Sequence, residues 1–341
     1  MSMEAEAGIE PANGSFADFC LTTWRLRRER LGGEDCAGGI GCQWGGVGKW
    51  GGACGCGELG GWLWWVVEEK GRLQDEVWLR RLPRRDFRFA MGLARGDAGG
   101  FLRLGEGSGE VLAERSELLR EAGEHYVLGV EEPEVAGVVS WFEGVTGRRF
   151  ADWRAVAKGI ESDWIVLVRD GAGEFRVRGG VVCFPSGWSL PEKAGMTVAE
   201  VHGPVPELEG SLGRGIRVFL DRLAAGSVWC RDNWGLSAQA ERDQHPRHGR
   251  AGLGSEATLE TAWLRLEEQM FAGLPGGVVL FAIRVSTHRL DGLAAIPGVA
   301  EGLARALRTM SSGVADYKGL TASRNGLAAQ LEQVAGSRLD P

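Results

Sequence analysis

A proline-rich passage around a single histidine, from Phe184 to Pro206, places the tightest local constraint on how this chain folds. Pro204 and Pro206 fix their own φ angles and bias the residues before them toward extended backbone. The backbone just after His202 therefore has little freedom. A histidine presented so rigidly is typical of a metal or haem ligand, and the alternative is a core histidine that hydrogen-bonds a buried carbonyl group.

Length and charge restrict the class of protein. The chain has 341 residues, of which 44% are hydrophobic, so it has room for one large or two ordinary domains with a sizeable core. A net charge of −7 argues against nucleic-acid binding. The apolar run Trp62–Val67 is far shorter than the roughly 20 residues of a membrane helix, and the acidic start lacks a signal-peptide pattern. We predict a cytoplasmic protein without nucleic-acid or membrane partners.

The first 84 residues form an extension rich in glycine, cysteine and tryptophan, without helical or strand periodicity. Glycine loses the most conformational entropy on ordering, so such a stretch needs many contacts to fold. The cysteines at 36, 42, 54 and 56 suggest zinc, but Cys54-Gly-Cys56 is too closely spaced for a zinc knuckle. We expect residues 1–84 to be a poorly ordered or wrongly translated extension, and residues 85–335 to form one domain.

Beyond Arg84 the sequence predicts strands in the middle and helices on both sides. Two β-rich runs flank the turn Asp170–Gly173, which predicts an antiparallel hairpin. Thr197 and Glu200 have capping-box spacing, which predicts a short helix leading to His202. Helices are predicted over 111–125, from 133, and over 208–224, 299–307 and 326–334; further strands are predicted over 227–234, 261–267 and 278–286. This grouping indicates an α+β fold.

Five ordered blocks resemble the haem-dependent oxidative N-demethylase family. They are Phe184–Pro206, Val228–Trp234, Leu264–Gln269, Leu280–Arg284 and Tyr317–Gly319. The resemblance is most specific between Val181 and Trp234. It implies a central antiparallel, PAS-like sheet flanked by helices, and haem b as the cofactor.

The implied reaction is oxidative N-demethylation of a small methylated amine by O₂. A carbinolamine would collapse to the amine and formaldehyde. Electrons would come from an external flavin or iron–sulfur reductase, since the chain has no recognisable flavin or nicotinamide site. The rival hypothesis is a PAS-like haem sensor that binds a small ligand without turnover, because fold does not fix function.

Residues that keep the family pattern are the candidates for the site. The implied catalytic residues are Glu192, Arg231 and Asn233. The implied cofactor-binding residues are His202 as the iron ligand, with Trp188, Lys193 and Arg284. Arg214 and Arg217 are further candidates for the haem propionates. The simpler interpretations are core packing for Trp188 and an exposed pair at a helix start for Glu192 and Lys193.

Two positions depart from the family pattern. Glu268 stands where the family has a cation, and Val285-Ser-Thr follows Arg284 in place of threonine and an aromatic residue. The first change inverts a charge and puts haem affinity or assembly in question. Away from these blocks, His245 and His248 lie in a polar stretch that we interpret as a mobile loop rather than a metal site.

Overall fold

A computed structural model describes residues 75–130 and 133–337 of the chain. The cysteine- and glycine-rich segment lies outside these residues. The prediction that it is poorly ordered therefore concerns a part of the chain that the structure does not describe.

A single antiparallel sheet of seven strands forms the centre of the described part. The strands are β1 Ala94–Arg95, β2 Val127–Leu128, β3 Asp163–Arg169, β4 Phe175–Val181, β5 Val228–Ser237, β6 Trp263–Gly273 and β7 Val278–Arg289. Their order across the sheet is β1-β5-β6-β7-β3-β4-β2, and every neighbouring pair is antiparallel. The predicted α+β class with a central antiparallel sheet is confirmed.

The α-helices of the described residues surround this sheet. They are α1 Ala98–Phe101, α2 Ser108–Ala122, α3 Pro133–Thr146, α4 Trp153–Gly159, α5 Val198–His202, α6 Arg214–Arg222, α7 Leu290–Ala294, α8 Val299–Thr309, α9 Ser312–Tyr317 and α10 Arg324–Gly336. Residues 75–81 are also helical. Among the helices described, none combines the length and apolar character that crossing a bilayer requires.

The predicted hairpin is formed by β3 and β4. The Asp170 carboxylate accepts hydrogen bonds from the backbone of Ala172 and Glu174, both at 2.9 Å, and so fixes the turn. Central position explains the nearly continuous apolar run of β3, because each face of the strand is covered. Trp164 and Val166 belong to one core cluster, and the alternate residues Ile165 and Leu167 belong to another.

Three apolar clusters hold the elements together. The first packs α2, α3 and α4 on one face of β3, β4 and β7. The second packs α7 to α10 against Leu264 and Leu266 of β6. The third packs α5 and α6 on the opposite face, around Ile165, Val279 and Leu220. This third cluster places His202, the last residue of α5, over the sheet.

Residues before 85 take part in the second cluster. Leu82 is buried there, and Trp78 and Leu79 pack against it. Gly302 of α8 lies so close to this segment that a β-carbon would collide with the carbonyl oxygen of Pro83. The packed unit therefore reaches N-terminally of the boundary at residue 85 that the sequence suggested.

Candidate functional site

Strand register brings one row of partly exposed side chains onto a common face of the sheet. Arg231 is opposite Gln269, Asn233 is opposite Glu267, and Trp229 is opposite Phe271, which is itself opposite Phe281. Side chains of directly opposed residues share a face, and alternate residues of one strand do too. We call this surface the site face. Its residues are Trp229, Arg231 and Asn233 of β5, Glu267, Gln269 and Phe271 of β6, and Phe281 of β7.

Stacked aromatic rings form the apolar end of the site face. The rings of Phe271 and Phe281 are stacked with their centroids 4.6 Å apart and an interplanar angle of 14°. Phe219 of α6 packs edge-on against Phe271 at 5.4 Å and against Trp229 at 6.2 Å. Phe271 and Phe281 remain only half-buried, so this end offers apolar surface to a flat ligand.

Arg231 is the main cation of the site face. It makes no hydrogen bond or ion pair within the described residues, and its Nε atom is buried without a partner. Burial lowers the pKa of Arg231, although Glu267 and Asp232 partly oppose this. A half-buried guanidinium with free donors is a geometric match for a carboxylate.

His202, the last residue of α5, is close enough to Arg231 for the charge of the arginine to act on it. The predicted capping box is confirmed: Thr197 Oγ1 accepts from the Glu200 backbone at 3.1 Å, and the Glu200 carboxylate accepts from the Thr197 backbone at 2.7 Å. Burial, together with the charge of Arg231, lowers the pKa of His202, and Glu209 partly offsets this. Its ring nitrogens make no hydrogen bond within the described residues. The imidazole is therefore neutral at neutral pH and able to bind a metal.

The chain just after His202 departs from regular geometry. Glu207 has a φ of 65°, the left-handed region, which is uncommon for a residue with a β-carbon. Glu209–Gly213 then forms a π-helical turn before α6 begins. A small cavity of about 50 Å³, open to solvent, lies here and is lined by His202, Glu209 and Ile216 among others. Strained backbone and π turns are concentrated at functional sites in proteins.

The largely buried carboxylate of Glu267 organises the polar end of the site face. It accepts hydrogen bonds from Ser186 Oγ at 2.5 Å and from Asn233 Nδ2 and Gln269 Nε2, both at 3.0 Å. The Nε atom of Arg265 lies 3.7 Å away. Burial alone would raise the pKa of Glu267, but Arg265 and the hydrogen bonds outweigh it and lower the pKa. Glu267 is therefore ionised and holds both amide side chains in fixed orientations.

Lys318, next to the end of α9, adds a second cation to this end. Its Nζ donates to the carbonyl oxygen of Trp234 at 3.3 Å and lies 5.8 Å from the centroid of that tryptophan ring. Burial lowers the pKa of Lys318, and the charge of Glu267 opposes this shift. The neighbouring Tyr317 is half-exposed, and burial with the charge of Glu267 raises its pKa.

Four of the five family blocks meet at Glu267. Ser186, Asn233, Gln269 and Lys318 come from different blocks, and all interact with this one carboxylate. Sequence reasoning missed Glu267, Gln269 and Lys318 as site residues. The available signal was the alternation of polar side chains in two β-rich runs, at 231 and 233 and again at 267 and 269.

The remaining candidates of the first block lie at the edge of this arrangement. Trp188 is half-buried and packs on the third apolar cluster with α5 and α6. Glu192 and Lys193 lie in the 3₁₀ turn Pro191–Lys193, where Glu192 is exposed. Their side chains make no hydrogen bond or ion pair within the described residues.

Arg284 lies on the opposite face of the sheet. Its strand partner is Glu268, one residue away from both Glu267 and Gln269. Arg284 Nε and one guanidinium nitrogen donate to the Glu268 carboxylate at 3.0 and 3.1 Å, and Arg81 binds the same carboxylate at 2.7 Å. The structure does not bring Arg284 together with His202. The anion at 268 is compensated on its own face and leaves the site face unchanged.

Two other arginines proposed from the sequence are also accounted for. Arg217 forms an ion pair with Glu209 at 2.5 Å, and Arg214 is exposed at the start of α6. Of the four arginines considered, Arg231 is the one that lies on the site face, and it makes no hydrogen bond or ion pair within the described residues.

The stretch that contains His245 and His248 is packed into the protein. Asp243 and His245 are buried, and Asp243 accepts hydrogen bonds from Tyr126 at 2.5 Å and from the His245 backbone at 2.9 Å. Gln244 also pairs with the backbone around Ser186. The prediction of a mobile loop was wrong, because a buried carboxylate anchors this stretch. No group of three or more His, Cys, Asp or Glu side chains within the described ranges is arranged to hold a metal ion.

Fold and side-chain placement together define an α+β protein in which one partly exposed sheet face carries Arg231, without a hydrogen bond among the described residues, near a neutral histidine. The sequence matches the family model described as haem-dependent oxidative N-demethylase, alpha subunit-like, over residues 146–328, more than half of the chain. The protein belongs to this family.

Proposed function

We propose that the protein binds haem on the site face and catalyses oxidative N-demethylation of a small methylated amine, with release of formaldehyde. The observation that carries the proposal is the meeting of four family blocks around Glu267, beside a neutral His202 and an unpaired Arg231. Family membership supports haem dependence.

The residues present fit haem. An axial ligand, an apolar surface and cations for the propionates are what haem binding requires. His202 would supply the ligand, the Phe271–Phe281 stack the apolar surface, and Arg231, with its orphaned Nε atom, a propionate contact. Bound there, haem would supply the activation of O₂ for oxidation of an N-methyl group.

The amides of the site face are suited to orient the amine. Asn233 donates through Nδ2 to Glu267, so its Oδ1 atom remains free to accept from a substrate N–H group. Glu267 positions that amide and does not itself contact the substrate. Glu192, exposed and unpaired, is proposed to attract the cationic amine toward the site.

The proposal includes a PAS-like sheet, the extent of the catalytic unit and an external source of electrons. A hairpin, a helical connection and a three-stranded meander that returns to pair with β3 support a PAS-like sheet. We propose that the catalytic unit covers residues 85–335 together with the packed segment before it, and that it works in the cytoplasm. Electrons would come from a flavin or iron–sulfur reductase, in line with the subunit-like description of the family.

The test is reconstitution with hemin followed by turnover. We expect a Soret band from the protein loaded with hemin. We also expect formaldehyde when the reduced protein is given O₂ and a panel of methylated amines. His202→Ala should abolish or shift the Soret band and abolish formaldehyde release. His125→Ala is the matched control, because this histidine lies in the 3₁₀ turn Gly123–His125, outside the site face.

Two outcomes would contradict the proposal. A protein that ignores added hemin would remove haem from the site. A stable haem complex with a competent reductase, but without formaldehyde from any amine, would favour the haem sensor instead.

A further inference from the structure

We propose that Arg231 and Lys318 form a two-cation site that binds both carboxylates of a dianionic ligand. The inference rests on the proposed function, in which the ligand is haem and the carboxylates are its two propionates. Lys318 is the new member of the site.

Both cations have unused hydrogen-bonding capacity. Arg231 has five N–H donors, and none of them makes a hydrogen bond within the described residues. Lys318 has three donors, and one of them makes a single bond of 3.3 Å to the Trp234 carbonyl oxygen. A half-buried ammonium or guanidinium group with free donors is costly unless a ligand pairs with it.

One carboxylate, Glu267, connects the two cations. Arg231 and Trp234 are three residues apart on β5, so their side chains lie on opposite faces of the sheet, but Lys318 donates to the Trp234 carbonyl oxygen, which belongs to the strand backbone. Between them, Asn233 donates to Glu267, the carboxylate that also interacts with Lys318. Arg231 and Lys318 therefore both lie near Glu267, the carboxylate at the polar end of the site face.

The charge balance of this end also points to a dianion. Glu267 is the anion of the site face, and Arg265 already lies against it at 3.7 Å. The positive charges of Arg231 and Lys318 are then left in excess. Burial lowers the pKa of each, as expected for cations that lack a full counter-charge. Two ligand carboxylates would neutralise the excess.

The test compares hemin with hemin dimethyl ester, whose propionates carry no charge. Both are titrated into the full chain, in one detergent buffer, and followed by Soret absorbance. For Lys318→Met we expect a loss of about tenfold in hemin affinity, which is the contribution of one charge-assisted hydrogen bond. The affinity for the ester should change little. Arg231→Met should show the same selective loss of hemin affinity. Lys318→Arg should keep most of the hemin affinity, because it keeps the positive charge.

Lys158→Met is the matched control, because Lys158 is an exposed lysine on α4, under the opposite face of the sheet. It should bind both compounds as the wild type does. An equal loss of hemin and ester binding in Lys318→Met, or no loss of either, would overturn the two-cation site and leave the proposed function standing. Failure of the wild type to bind hemin at all would overturn both.

Discussion

At the scale of single residues, the proposed site depends on the neutrality of His202. Burial and the nearby Arg231 lower its pKa from the ordinary value of about 6.5. At pH values between the pKa of His202 in the folded chain and its pKa in the unfolded chain, the unfolded chain binds more protons than the folded one. Stability associated with His202 is therefore lost as the pH falls below about 6.5, while the imidazole stays available to a metal at neutral pH.

Removing Arg231 should raise the pKa of His202 toward its ordinary value, because one of the two causes of the shift disappears. Burial should still keep it below that value. We expect this from an NMR titration of the imidazole signals in Arg231→Gln, with His202→Gln used to assign the signal among the five histidines. Arg120→Gln, an exposed arginine of α2, is the control. An unchanged or lower pKa in Arg231→Gln would show that the two side chains are not coupled.

Two neighbouring glutamates lie in different environments because alternate residues of a strand face opposite sides of the sheet. Glu267 lies on the site face with Asn233 and Gln269, and Glu268 lies on the other face with Arg284. A charge inversion at 268 therefore leaves the polar end of the site face intact. The departure from the family pattern, which from sequence alone questioned haem affinity, is confined to an ion pair elsewhere.

At the scale of elements, one buried ion pair fixes the exit of the hairpin. Asp163, the first residue of β3, accepts hydrogen bonds from the backbone of Cys183 at 2.7 Å and of Phe184 at 2.9 Å. Arg115 of α2 donates to the same carboxylate, and its Nε atom donates to the Ala157 carbonyl oxygen at 2.9 Å. This pair ties two helices to the segment that carries Ser186 into the site.

Asp163→Asn should lower the free energy of unfolding by about 3–5 kcal/mol, because the charge of Arg115 is then buried without compensation. Adding Arg115→Met should recover part of the loss, since no buried charge remains. Urea denaturation of the two variants and the wild type measures both effects. A change below about 1 kcal/mol in the single variant would mean that the pair does not hold the hairpin exit.

Local signals predicted the elements well where the chemistry was local. The Asp170–Gly173 turn and the Thr197–Glu200 capping box need contacts between residues a few positions apart, and both are confirmed. The helix predicted over 208–224 begins instead with the π turn and only then becomes α6, because a single turn is too short for apolar spacing to distinguish π from α geometry. Strands β6 and β7 also extend beyond their predicted ends, since pairing with neighbours rather than propensity sets those ends.

At the scale of the whole molecule, the site could be predicted only in part. His202, Arg231 and Asn233 stand out because they lie in recognisable blocks; Arg231 and Asn233 share one face of β5, and the charge of Arg231 acts on His202. Glu267 and Lys318 are far apart in sequence, and only the register of β5 with β6 and the packing of α9 bring them together. No local sequence pattern indicates that Glu267 and Lys318 are close in space.

The segment before residue 85 should contribute to global stability through α8. Gly302→Ala should destabilise the protein, because the new methyl group meets the Pro83 backbone, which must move. Gly292→Ala in α7 is the matched control, since its methyl group meets no atom within 4 Å. We expect it to be neutral or slightly stabilising, because alanine favours a helix over glycine. Thermal unfolding of both variants measures the difference, and equal melting temperatures would argue against tight docking of this segment.

The strand order determines how late in synthesis the site face can form. β3 pairs early with β4, but its other neighbour is β7, the last strand along the chain. The site face needs β5, β6 and β7, and Lys318 follows all of them. A ribosome adds about 5–20 residues each second, so the edge of β3 that pairs with β7 stays unpaired for several seconds after the hairpin has been synthesised. Loading of a ligand onto the site face is thus a step that follows synthesis of nearly the entire described chain.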